Sequence, residues 1–310
     1  MKRIPVLIDT DAGVDDAVAL LAALKLPEMD VKAVTSVAGN VDVENTTRNA
    51  LTVLEMAGRE DIPLYRGASG PILRDRISAE EIHGKNGFND MQFDVPVKKP
   101  EDRPAFDAIY DIAEEAGGEL TVILLGPMTN LALALAKYKK LPGLLKRIVF
   151  MGGAASYGNA TPAAEFNVFA DPEAADMVMT CGTPFVMCGL DVTMKAYFLP
   201  EEMEALGASG RPVAKFVRDV TKGVMKFSLA DGLPGMCMHD PLAVLYAADD
   251  SMFKSDSAWV RVETKGKITY GKTVTDVFSD KQMSPQNATV VLDVDREAFR
   301  DRLTELITSY

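Results

Sequence analysis

Cysteine is scarce in this 310-residue chain: Cys181, Cys188 and Cys237 are the three, an odd number without C-x-x-C spacing. That excludes a disulfide framework and offers no zinc pattern. It leaves small buried hydrophobes suited to a reducing compartment. Histidine is scarcer still, at two. Positive charge is in deficit, with 33 Lys and Arg against 45 Asp and Glu, a formal net charge of −12. So acidic a chain lacks the basic face that nucleic acid or an anionic membrane would need. No apolar run approaches the roughly 18 residues of a membrane span. In MKRIPVLIDTDAG, Asp9 and Asp11 interrupt the apolar run too early for a signal-peptide core. These absences predict a cytoplasmic protein with no nucleic-acid and no membrane partner. Internal repeats, low-complexity tracts and linkers are also lacking. With 47% hydrophobic and 25% charged residues, the composition excludes intrinsic disorder.

What is present is alternation. Short apolar, β-branched runs predict strands at residues 2–9, 31–37, 62–65, 120–125, 147–151, 184–188 and 290–292. Between them, helical periodicity covers 15–25, 42–57, 105–116, 128–139, 171–180, 200–206, 211–228, 241–248 and 295–308. Residues 259–274 alternate like a hairpin, and 66–104 form a long irregular loop, a length that usually carries function. Strands alternating with helices predict an α/β fold. We expect a single large domain over residues 1–310, with a mainly parallel sheet flanked by helices. Such sheets bind ligands at the C-terminal ends of their strands. Those ends are residues 9–13, 39–40, 125–127, 152–154 and 189–191.

The first of them is the richest in chemistry. DTDAGVDD sets Asp9, Asp11, Asp15 and Asp16 within eight residues at a strand–turn–helix junction. Left alone, these carboxylates repel one another. A hard cation with oxygen ligands, Ca²⁺ or Mg²⁺, would reverse that cost. Helix capping accounts for one or two of them, but not four. An EF-hand does not fit, since Gly13 falls one place early and Leu20 stands where Glu is needed. No Gly-rich phosphate loop occupies the turn. An aspartyl phosphatase also ends its first strand in D-x-D, with Asp9 then the nucleophile and Asp11 the acid/base. It needs a lysine and a later acidic pair, for which Asp191 and Asp249-Asp250 are poor candidates. His83 lies in the long loop, within IHGKNG. His239 precedes Asp240-Pro241 at a helix start and offers a titratable proton beside a carboxylate. Asn159, Glu165 and Asn167, in GNATPAAEFN, form a polar set suited to sugar hydroxyls.

Together these stretches resemble the inosine–uridine-preferring nucleoside hydrolases. DTDAGVDDAVAL matches that family's N-terminal signature, with Ala12 where Pro is usual. SVAGNV, TRNAL, IHGKNG, LGPMTNLA, VFMGGA, GNATPAAEFNVFADPEAA, GLDVT, HDPLAV and VETKGKITYGKTVTD follow in order over nearly the whole chain. The resemblance implies hydrolysis of the N-glycosidic bond of ribonucleosides to free base and ribose, in purine or pyrimidine salvage. It implies one Ca²⁺ held by Asp11, Asp16, Asp240 and the main-chain carbonyl of Leu125, its shell completed by ribose hydroxyls and a water. That water, hydrogen-bonded to Asp11 as general base, would attack C1′ through an oxocarbenium-like transition state. His239 would assist departure of the base, directly or through a relay. Asp15, Asn40, Asn159, Glu165, Phe166 and Asn167 would bind the substrate, with Met151 lining the pocket. His83 would lie near the base on a closing loop, and Asp9 would support the metal loop. A homodimer or homotetramer is also implied. One departure bears on the base: residues 222–238 hold no tyrosine, which family members often set there, and Phe227, Met236 and Met238 are the candidate substitutes. Base preference, purine or pyrimidine, stays open. A nucleoside-binding protein that keeps the fold without the chemistry is the alternative; it would bind and release no base.

Overall fold

Eight strands in one sheet organise the chain in a computed structural model that describes residues 3–277, 283 and 285–310. Met1 and Lys2 lie outside the described residues, Lys2 being the first residue of the first expected strand. In chain order the strands are β1 (Ile4–Thr10), β2 (Met29–Ser36), β3 (Leu64–Arg66), β4 (Leu120–Leu124), β5 (Leu145–Met151), β6 (Phe185–Cys188), β7 (Tyr197–Phe198), β8 (Met236–Cys237), β9 (Phe253–Ala258), β10 (Val260–Val262), β11 (Thr273–Thr275) and β12 (Ala288–Val294). The large sheet runs β3-β2-β1-β4-β5-β6-β12-β9. Every neighbouring pair in it is parallel except β12 with β9.

Parallel strands need both faces covered, and the side chains of β1 show how. Val6 and Ile8 enter one apolar cluster and Leu7 the other, one on each face of the sheet. Helix Val14–Lys25 follows β1 directly and is buried from Val14 to Ala23. Its Ala- and Leu-rich sequence lets it sit close against the sheet and the helices His239–Ala248 and Arg296–Thr308. The strand order reverses between β1 and β4: β2 and β3 extend one way, β4 to β6 the other. A crevice opens at such a reversal, and the acidic end of β1 lies there.

The expected α/β architecture is present, hairpin included, since β10 and β11 pair antiparallel. The unexpected parts have local causes. Strand β9 (FKSDSA) is exposed over most of its length, so its polar sequence reads as loop. Charged residues suit it as a sheet edge. Strands β7 and β8 are two residues each, too short for a periodic signal. Helix Phe166–Ala170 stands where a loop was expected, and the last helix of the site begins at His239, two residues early. Within 66–104 the chain is irregular apart from Arg66, which ends β3, short helix Glu80–His83 and a bridge at Glu101. No helix among the described residues is long and apolar enough to cross a membrane.

Candidate active site

Five carboxylates converge at the end of β1: Asp9, Asp11, Asp15, Asp16 and Asp240, all buried. The turn after β1 faces Asp15 and Asp16 inward from the first turn of helix Val14–Lys25. Asp240 arrives from the first turn of helix His239–Ala248. Carboxylate oxygens of Asp15, Asp16 and Asp240 all lie within 4.8 Å of one another. Asp11 is not in that trio, yet its charge acts on Asp240 and the charge of Asp16 acts on it. Asp15, expected at the ribose, thus stands with Asp16 and Asp240.

Asp11 is held by backbone. Asn40 N–H donates to its Oδ2 at 2.7 Å, while Oδ1 is buried without a partner. Two glycines clasp it: a Cβ on Gly39 would lie 2.1 Å from Oδ2, and one on Gly126 2.7 Å from Oδ1. Asp16 caps its own helix, accepting from Gly13 N–H at 2.9 Å and from Thr10 Oγ1 at 2.5 Å. Asn40 Nδ2 donates to it at 3.2 Å. Asn40 therefore ties Asp11 to Asp16.

Burial pushes every one of these acids up. Asp15 and Asp16 rise to about 6, desolvation leading and the backbone amides of Asp240 and His239 partly offsetting it at Asp15. Asp11 and Asp240 stand well above the usual carboxylate range, from burial first and then from repulsion by their acidic neighbours. Among the described residues, no salt bridge reaches any of the five. An all-oxygen donor set, a surplus of negative charge and an orphaned Asp11 Oδ1 fit a hard divalent cation.

Asp9 differs from the rest. It is fully buried and accepts from Thr35 Oγ1 at 2.5 Å and Asn130 Nδ2 at 2.7 Å. Burial raises it to about 7. Both donors reach Oδ1, while Oδ2 is buried without a partner. Asp191 is likewise engaged elsewhere, accepting from Ala155 N–H at 2.6 Å and Ser156 N–H at 3.1 Å. Asp249 stands beyond the far end of the helix that Asp240 begins. The phosphatase arrangement is not formed.

Both histidines reach the cluster. His83 Nδ1 accepts from Val14 N–H at 3.1 Å, which places its proton on Nε2. His239 Nδ1 pairs with Thr193 Oγ1 at 2.8 Å. Burial pushes both rings down to about 4, so both are neutral near pH 7. On the sugar side, Asn167 Nδ2 donates to the Leu125 carbonyl at 2.8 Å and the Met151 carbonyl at 3.0 Å. That brings three expected residues together. Glu165 caps helix Phe166–Ala170, accepting from Asn167 N–H at 2.9 Å and Gly153 N–H at 2.8 Å, and burial raises it to about 7. Asn159 is exposed, and its Oδ1 accepts from Phe166 N–H at 2.9 Å. Of the substitutes for the missing tyrosine, Met236 and Met238 are core residues and only Phe227 is exposed. Sequence reasoning missed Thr35, Asn130, Thr193, Gly39 and Gly126. All but Thr35 lie inside the quoted motifs, which was the available signal.

The sequence matches the family model described as inosine-uridine preferring nucleoside hydrolase over residues 6–301. The pyrimidine-specific ribonucleoside hydrolase RihA of Klebsiella pneumoniae subsp. pneumoniae is 41% identical over 309 residues, 99% of this chain and 99% of its own. RihA of Photobacterium profundum is 40% identical over 308 residues, again 99% of each chain. Among solved structures, the plant nucleoside hydrolase PpNRh1 matches with TM-score 0.93 at 34% identity, over 100% of both chains. A purine-preferring ribonucleoside hydrolase from Gardnerella vaginalis matches with TM-score 0.92 at 33% identity, over 98% of both.

Proposed function

Because the chain belongs to the inosine-uridine preferring nucleoside hydrolases, enzymes that split ribonucleosides into free base and ribose, we propose that it does so with Asp11 as general base beside a bound Ca²⁺. The observation that carries this reading is the buried acidic cluster at the strand reversal, with Asp11 Oδ1 unpartnered inside it. Asp11, Asp16, Asp240 and the Leu125 carbonyl would hold the ion, with Asp15 close enough to join them. When bound, the cation orients the ribose hydroxyls and makes the proton of a water easier to remove.

The residues divide the remaining work. Asp11 Oδ1, free of any donor, accepts the proton of the attacking water. The surrounding carboxylates favour the positive charge that develops on the ribose ring. Asp15, Asn40, Asn159, Glu165 and Asn167 bind ribose, beside Phe166 and Met151. Asn167 spends its amide on two carbonyls and keeps Oδ1 to accept from a hydroxyl. A neutral His239 that accepts from Thr193 at Nδ1 carries its proton on Nε2, from which it donates a hydrogen bond to the departing base, which leaves as an anion and takes its proton from solvent. His83, with Nε2–H outward of its bond to Val14, lies toward the base. Relatives include pyrimidine-specific enzymes and a purine-preferring one, so the assay spans both classes of base. We extend the proposal to a cytoplasmic homodimer or homotetramer, which sedimentation tests.

The experiment is release of reducing sugar from uridine, cytidine, inosine and adenosine, with Ca²⁺ and with chelator. Release lost on chelation and restored by Ca²⁺ is expected, and Asp11→Ala is expected to abolish it. Turnover near the wild-type rate in Asp11→Ala overturns the assignment.

A further inference from the structure

Helix Pro212–Ala230 carries Gly223 in its interior, where glycine weakens a helix. The reason lies across from it. A Cβ on Gly223 would fall 2.2 Å from Asn89 Oδ1. Asn89 presses against the bare turn and donates from Nδ2 to the carbonyl of Val220. Asn89 and Asp90 are consecutive residues with positive φ, at 51° and 59°. Asn and Asp tolerate that conformation better than other side chains, but the surroundings must hold it.

Those surroundings join two parts of the molecule. Asn89 N–H donates to the His83 carbonyl at 2.7 Å, and Asp90 Oδ1 accepts from Lys85 N–H at 2.9 Å. Phe88, fully buried, meets Phe216 of the same helix edge to face, with ring centroids 6.0 Å apart. At the other end of the loop, His83 accepts from the first amide of the acidic helix. One short loop thus runs from the flank of helix Pro212–Ala230 to the mouth of the carboxylate cluster.

We propose that Asn89 is a positioning residue for His83, latched into the gap left by Gly223, so that changes on helix Pro212–Ala230 are felt at the site. The kinetic consequence rests on the nucleoside hydrolase reading above, whereas the latch itself is testable without substrate. The chain has two histidines, so a long-range ¹H–¹⁵N spectrum holds two imidazoles. Gly223→Ala and Asn89→Ala are expected to shift the His83 ring and leave the His239 ring in place. For whichever nucleoside is turned over best, KM is expected to rise about five-fold with kcat within about two-fold, the scale of one lost hydrogen bond. Asn89→Gly keeps the positive φ and loses the amide, so it is expected to behave as Asn89→Ala. In the double variant the added methyl meets no Asn89 side chain, so the two effects are expected not to add. Unchanged His83 resonances in folded Gly223→Ala, wild-type behaviour of Asn89→Gly, or strict additivity would each overturn the latch. Shifted His83 resonances in a protein that hydrolyses no nucleoside would support the latch and overturn the hydrolase reading instead.

Discussion

Gly39→Ala adds one methyl, removes no functional group, and tests the role of Asp11 through geometry alone. A Cβ at residue 39 would stand 2.1 Å from Asp11 Oδ2 and 2.8 Å from its Cγ. Such contacts essentially never close below 3.0 Å, so the oxygen must retreat by about 0.9 Å, the difference between 3.0 and 2.1. Retreat is hindered, because Gly126 clasps the other oxygen and the Pro127 ring lies 2.8 Å from the same methyl. Any movement also disturbs the 2.7 Å bond from Asn40 N–H. A misplacement near 1 Å at a reacting group costs roughly 100-fold in rate. We therefore expect kcat/KM to fall about 100-fold in the sugar-release assay. Gly143→Ala, where nothing lies within 4 Å of the new Cβ, is the control and is expected to match wild type. A crystal structure of Gly39→Ala locates the carboxylate. Retention of more than about a third of wild-type kcat/KM with Asp11 displaced would refute the reasoning.

Three further outcomes follow from the same cluster. Calcium at about 100 times its dissociation constant is expected to stabilise the fold by about 2.7 kcal/mol; a melting temperature indifferent to calcium, magnesium and chelator would speak against a cation site. In chelator, stability is expected to decline as pH rises. Asp9 and Glu165 go from usual values of 3.8 and 4.5 to about 7 on folding, so their contribution is full below the lower values and lost as pH passes the higher one. Melting scans at about pH 5 and about pH 8 check this, and greater stability at the higher pH would contradict it. Thr35→Val removes the hydroxyl that donates to Asp9 and is expected to cost about 1–3 kcal/mol in urea denaturation, the penalty for an underbonded buried acceptor; no measurable change would mean Asp9 needs no such donor.

Elements that carry their own period were legible. β1, β4 and the helix Val14–Lys25 are mostly apolar and bounded by turns, so local sequence places them within a residue or two. The acidic turn was legible because four carboxylates in eight residues have no economical structural use. Pairings across the chain were not. Asn130 reaches Asp9 across 121 positions and Thr193 reaches His239 across 46; each is an ordinary polar residue in its local setting. Gly39 and Gly126 read as turn glycines, and only the closeness of Asp11 shows what a side chain there would displace. Glu165 was expected at the sugar by resemblance, while its cap on a five-residue helix depended on a helix too short to announce itself.

The cluster is a stored electrostatic cost, and the way it is stored bears on selectivity. Burial pushes Asp9 up to about 7 against the donors Thr35 and Asn130, so it adds less negative charge near neutrality than its position implies. Asp11, Asp15, Asp16 and Asp240 repel one another with no lysine or arginine paired to them among the described residues. A cation that enters relieves desolvation and repulsion together, whereas a neutral ligand relieves neither. A phosphate would add to the repulsion, and no basic side chain among the described residues pairs with these acids to offset it. The same imbalance therefore favours a divalent cation with an uncharged ribosyl substrate and disfavours a nucleotide. Uridine should be hydrolysed where uridine monophosphate is not, and equal turnover of the two would show that the charge of the cluster does not govern what enters.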